Sequence, residues 1–305
     1  MLSSLNKSAR PDSANLGQLL LALAGLFLLT SSNDVHLGAS PLNPTTLASR
    51  NISERLINTR EPLRDTQARR GFRLDIHSSK NPRAKKSLLR SESESLVNAI
   101  TAELNDTINL PSDIEVSLED CGDADVYYDD DERRLVMCYE WLDEMQRIVS
   151  RQLRPRAIVR ETVETLVAGV VLHESAHALI HILKLPVTGR EEDVADQFST
   201  LVLLHQKDGA RKVTEVALVH KVMSEMTQGE PPAYWDEHSQ DGQRYYDTLC
   251  MIYGRDPEGN TRLVSTNALP FERATICEQD YRRIESAWKT LLKPYANDSL
   301  WLPSE

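Results

Sequence analysis

Residues 156–183 constrain this chain more than any other stretch. The middle of the run, Leu166-Val-Ala-Gly-Val-Val-Leu-His-Glu-Ser-Ala-His-Ala-Leu-Ile180, is apolar nearly all round. A helix on a protein surface carries one apolar stripe, whereas a helix apolar on every side belongs in a core with other elements packed about it. Pro155 suits the first-turn region, and Pro186 with Gly189 predicts a tight turn after the helix. The rest of the fold must therefore wrap around residues 156–183.

Three titratable residues interrupt that apolar run: His173, Glu174 and His177, in the order His-Glu-Ser-Ala-His. Helical positions four apart share a face, so both imidazoles can reach one zinc ion. Glu174 sits one step round, where it can activate a metal-bound water for attack on a peptide carbonyl. Without such a role, two histidines and a glutamate in a buried helix would be uncompensated and costly.

A catalytic zinc site takes a third protein ligand. Ile180 and Leu183 stand where a longer histidine motif on the same helix would need Gly and His, so the ligand must come from elsewhere. The next predicted helix, 190–206, opens with Glu191-Glu-Asp-Val-Ala-Asp196. Glu192 and Asp196 share a face, and the short turn brings them back alongside the histidines. Glu192 is the favoured ligand, with Glu191, Asp193 and His181 as rivals. Asp196 is placed to accept the second ring N–H of a ligand histidine. For an oxyanion-stabilising group the sequence offers His238 first, then Arg244, Tyr245 and Tyr246. His205 and His220 read as packing residues.

The N-terminus reads as an export signal. Lys7 and Arg10 precede an apolar run over 19–29, and small residues follow at 30–32. The run is short against the roughly 20 apolar residues of a bilayer span, although an uncleaved anchor over 19–29 is the alternative. A secreted or periplasmic location follows, with membrane contact only through that segment. Cys121, Cys138, Cys250 and Cys277 suit an oxidising compartment, and local pairing, Cys121 with Cys138 and Cys250 with Cys277, is the simplest connectivity. The sequons at Asn51, Asn105 and Asn297 matter only in a eukaryotic secretory host. The net charge of −11 argues against nucleic acid as a partner.

Residues 33–90, rich in Ser, Asn, Arg and Pro, read as a disordered linker between the signal (1–32) and a folded domain over 91–296, with a tail over 297–305. Within the domain the periodicity predicts a helix over 91–104. Strands follow over 114–118 and 134–138, paired antiparallel across an acidic turn-rich loop, 120–131. Further helices are expected over 139–149, 156–183, 190–206, 210–226, 241–253 and 277–292. The expected class is α+β: mostly helical, with a small antiparallel sheet and a central helix carrying the histidines.

His-Glu-Ser-Ala-His followed by Glu192-Asp-Val-Ala-Asp-Gln197 resembles the gluzincins, zinc peptidases with HExxH and a later ExxxD. More closely, the chain resembles a little-characterised bacterial family of metallopeptidase-like domains of unknown function. The matching pieces include Cys121-Gly, Tyr127-Tyr128, Cys138-Tyr-Glu140, Asp236-Glu-His-Ser239, Gln243-Arg-Tyr-Tyr246, Cys250-Met-Ile-Tyr-Gly254 and Cys277-Glu278. The resemblance spans 91–294. It implies a gluzincin-like fold and one zinc ion but supplies no substrate; a peptide or protein substrate follows from the chemistry of the HExxH residues. The alternatives are a non-catalytic binding protein on a zincin scaffold and a zinc hydrolase of non-peptide amides.

Overall fold

A computed structural model describes residues 70–78 and 88–297. The signal and anchor reading of 1–32, most of the linker and the tail beyond Asn297 lie outside those residues. The described part is α+β, 62% of the described residues being helical beside a small mixed sheet of four strands.

The chain enters on β1 (Phe72–Ile76), crosses through α1 (Leu88–Thr107) and returns on β2 (Ile114–Glu119), parallel to β1. β3 (Val126–Asp129) and β4 (Arg134–Cys138) follow, and the strand order is β1-β2-β4-β3. One sheet face is apolar: Ile114, Val116, Leu118, Leu135 and Met137 are wholly buried there. That face meets the helices, and its alternation with polar residues is why these segments are strands.

Three expectations are corrected here. The sheet is not antiparallel: β2 pairs with β4 in parallel, and only β3 and β4 run antiparallel. The acidic stretch between the predicted strands contains β3, so the chain reverses twice and brings β4 back in the direction of β2. Second, the folded part does not begin at residue 91. β1 and the first turn of α1 fall within 33–90, the range read as linker. In β1 Phe72 is buried, while Arg73 and Asp75 stand on the wet face, so five residues gave too weak an apolar signal. Asn105 of α1 fixes this strand: its side chain accepts the Phe72 N–H at 2.7 Å and donates to the Phe72 carbonyl at 2.9 Å. Third, a sheet made of 114–118 and 134–138 alone would leave 134–138 at an edge, whereas β4 is an inner strand and the edges are β1 and β3.

After α2 (Tyr139–Gln152) comes the central helix α3 (Arg156–Leu183), its bounds as predicted. It packs against α1, α2, β3, β4, α4 (Glu191–Leu204) and α5 (Gly209–Met226), so apolar residues are wanted on every side. It is long and apolar enough to cross a membrane, but it is mostly buried inside the protein and serves as a core helix. Lys184, in the left-handed conformation, ends it, and the chain turns back into α4.

α6 (Asp241–Arg255), the short α7 (Thr261–Ser265) and α8 (Phe271–Leu292) complete the helical layer, α6 lying against α5 and α8. Both predicted disulfides are present, Cys121–Cys138 and Cys250–Cys277. Cys250 and Cys277 lie within α6 and α8 rather than flanking a loop, because α8 starts before its predicted first residue. Gly254 is required at this junction, since a Cβ there would stand 2.2 Å from the Cys277 carbonyl oxygen. Two disulfides hint at an oxidising compartment, where such bonds form and persist.

Candidate metal centre

α3 delivers His173 and His177 on one face and Glu174 beside them. α4, folded back by the short turn, lays its first two turns against that face. The Nε2 atoms of the two rings stand 3.2 Å apart. Glu192 Oε2 lies 3.0 Å from His173 Nε2 and 3.4 Å from His177 Nε2. One donor atom from each of His173, His177 and Glu192 fits within 4.8 Å of the other two.

The far side of each ring is also held. His173 Nδ1 is 2.9 Å from Asp196 Oδ1, and His177 Nδ1 is 2.8 Å from Glu191 Oε1. A carboxylate on Nδ1 fixes the tautomer that leaves the Nε2 lone pair pointing inward, toward Glu192. Glu191, a rival ligand by sequence, therefore orients His177. Asp193 lies on the wall of a second cavity behind Asp196. His181 lies past the centre and meets the Tyr128 hydroxyl at 3.0 Å.

Arg244 has a different partner from the one its place in sequence suggested. Its guanidinium grips Asp196 with two bonds, Nε to Oδ2 at 2.7 Å and Nη2 to Oδ1 at 2.8 Å. A chain of contacts thus runs Arg244–Asp196–His173. Tyr245 is buried and Tyr246 stacks edge-on against it, so neither reaches the histidines as the sequence allowed. His238 does: its Nε2 is 2.9 Å from Glu192 Oε2, and its ring lies nearly parallel to that of His173. Asp236 Oδ1 accepts the His238 backbone N–H at 2.9 Å and faces its Nδ1 at 3.3 Å.

The electrostatics follow from packing three imidazoles among five carboxylates, those of Glu174, Glu191, Glu192, Asp196 and Asp236. Burial alone would lower His173, but the hydrogen bonds to Asp196 and Glu192 win and raise it to about 10. For Glu192, burial pushes upward and is overcome by hydrogen bonds from His173, His177 and His238, which hold the carboxyl below its usual range. Asp196 is likewise held low against burial, chiefly by the Arg244 charge. Glu174 goes the other way: burial raises it, and the charges of His173 and His177 only partly offset this. The centre thus stabilises positive charge between the imidazoles, where a divalent cation would compete with protons.

Glu174 also meets the sheet. Cys138 N–H donates to the Asp125 carbonyl at 3.0 Å, so residues 125, 127 and 129 turn their backbone groups toward β4. Val126 and Tyr128 consequently turn theirs away from β4, and the Tyr128 N–H, near the Glu174 carboxylate, opposes the rise that burial causes there. A cavity of about 670 Å³ opens beside Glu174, with Trp141, Met145, Val170 and Met223 on its apolar wall and the loop carrying His238 over it. His220, expected to pack, does so beside Asp241 at this cavity, while His205 bonds Glu285 between α4 and α8.

A profile of the family described as "Putative metallopeptidase" matches residues 76–292. No curated protein and no solved structure matches the chain.

Proposed function

The chain belongs to the family described as "Putative metallopeptidase", and from that membership we propose that it is a zinc-dependent peptide-bond hydrolase. His173, His177 and Glu192 would hold the ion. One observation carries this reading: three donor atoms converge within 4.8 Å while both histidines keep a carboxylate on the opposite ring nitrogen. Two imidazoles and a carboxylate suit zinc, and a set of three protein donors leaves the open position that catalysis needs.

When bound, the ion supplies Lewis acidity, polarising the substrate carbonyl and acidifying water. The chain supplies the proton traffic. Glu174, raised by burial, is a base closer to neutrality than an exposed glutamate, so it can both take a proton from the attacking water and return it to the leaving nitrogen. The Tyr128 N–H steadies its carboxylate. His238, which faces Asp236 through Nδ1 and Glu192 through Nε2, would donate to the developing oxyanion once Glu192 turns to the ion and releases it. The outward-facing edge of β3 favours an extended peptide, paired strand to strand, over a compact amide. The two disulfides support an exported protein.

Metal analysis of the purified chain tests the assignment. Zinc is expected at the centre in the wild type and in Glu174→Gln, and is lost from it in His173→Ala and Glu192→Ala. Peptide cleavage is expected only in the wild type. Zinc retained there after either ligand is removed, or cleavage by Glu174→Gln at the wild-type rate, would overturn it.

A further inference from the structure

We propose a second metal site, independent of the first, on the polar face of the sheet: a divalent first-row transition ion held by Asp75 and His77 of the β1 segment and Glu115 of β2. The parallel register sets Arg73 opposite Glu115 and Asp75 opposite Ser117, so Asp75, His77, Glu115, Ser117 and Glu119 emerge on one face. His77 Nε2 stands 3.3 Å from Asp75 Oδ2 and 3.7 Å from Glu119 Oε2. One donor atom from each of Asp75, His77 and Glu115 lies within 4.8 Å of the other two. These separations are close to those between ligands of a single ion.

A second observation points to a ligand. The Ser117 hydroxyl is wholly buried in the middle of this grid and has no hydrogen-bond partner. A buried hydroxyl without a partner costs free energy, and a water carried by an ion at this face would supply one. The His77 backbone is also held in place. The His77 N–H donates to the Leu118 carbonyl at 2.9 Å, and its own carbonyl accepts from Arg90 at 3.1 Å and from the Tyr139 hydroxyl at 3.3 Å. Of the nearby cations, Arg73 pairs with Asp113 at 3.2 Å, whereas Arg134 pairs with Glu119 at 3.4 Å and reaches Glu115 at 4.0 Å, so a bound ion would draw Glu115 from the longest of these ion pairs.

The donor chemistry names the ion class. An imidazole with two carboxylates suits zinc, cobalt, nickel or manganese, whereas calcium and magnesium prefer oxygen alone. The site bridges β1 to β2, so its effect falls on the edge strand that opens the described fold.

Zinc is the probe. Dialysis equilibrium on the full chain is expected to give two ions per wild-type chain, one in His77→Ala, one in His173→Ala/His177→Ala, and none when all three histidines are replaced. Glu115→Gln should weaken the second ion at least tenfold, and excess calcium should not displace it. Zinc should slow amide exchange in β1 of the wild type and not of His77→Ala, a reading that stands even if the double variant folds poorly. Equal zinc stoichiometry in wild type and His77→Ala, or β1 exchange unmoved by zinc, overturns the proposal. One ion fewer in His77→Ala but no change in His173→Ala/His177→Ala would leave this site standing and remove the peptidase centre.

Discussion

At the scale of single residues, Asp196 joins the histidines to the rest of the protein. It accepts from His173 on one oxygen and from Arg244 on both. Replacing it by Asn keeps the shape but weakens the grip on the ring, so zinc affinity should fall about 10- to 100-fold, read by competition with a chromogenic chelator. Arg244→Met is expected to do something different. It strands a largely buried carboxylate without its counter-charge, costing about 3 kcal/mol of stability in urea unfolding. If Arg244→Met left stability untouched and abolished cleavage, the arginine would be touching substrate instead. The HExxH spacing and the Glu192/Asp196 face were legible in sequence, because helical periodicity alone puts those residues together. The partner of Arg244 was not, since Asp196 and Arg244 lie 48 residues apart, on α4 and α6, with α5 between them.

At the scale of elements, two attachments lend themselves to measurement. Asn105 satisfies both backbone groups of Phe72 from the side of α1. Asn105→Ala should therefore cost about 1–3 kcal/mol and release amide exchange in β1 ahead of the rest of the sheet. The same contacts occupy one of the sequon asparagines, and Asn297, bonded to the Asp106 carbonyl at 2.9 Å, is occupied likewise. His220 of α5, next to α6, reports on pH. Burial holds it below its ordinary value, with the Arg244 charge acting the same way. The unfolded chain then takes up a proton near pH 6.5 before the folded one does. The stability this contributes is complete above that pH and is lost as pH falls toward the lower folded value. His220→Leu should flatten the acid limb of the stability profile, and an unchanged limb would refute the assignment. β1 and β3 escaped the reading of the sequence for a common reason. Each is short, half wet and stabilised by pairing with a distant strand, so its own periodicity is faint.

At the scale of the whole molecule, two covalent ties reinforce a core built around one helix. Cys121–Cys138 closes a separation of 17 residues and Cys250–Cys277 one of 27. Loop-closure entropy predicts about 3 kcal/mol from each, so reductant should shift the guanidinium unfolding midpoint markedly downward, and an unmoved midpoint would count against that account. The first tie also anchors the approach to β3, where Glu140 accepts the Cys121 and Gly122 N–H groups, so reduction is expected to loosen the substrate edge before the helical layer. What the sequence determined by itself was local: an all-round apolar helix, two histidines and a glutamate at fixed offsets, acids one turn into the following helix, and cysteines near enough to pair. The tertiary structure decided which strand became the edge, which carboxylate holds which imidazole, and that His238 closes on Glu192 while Arg244 turns away to Asp196. Those choices depend on how separate elements dock, and docking is set by long-range packing and charge pairing that no local pattern encodes.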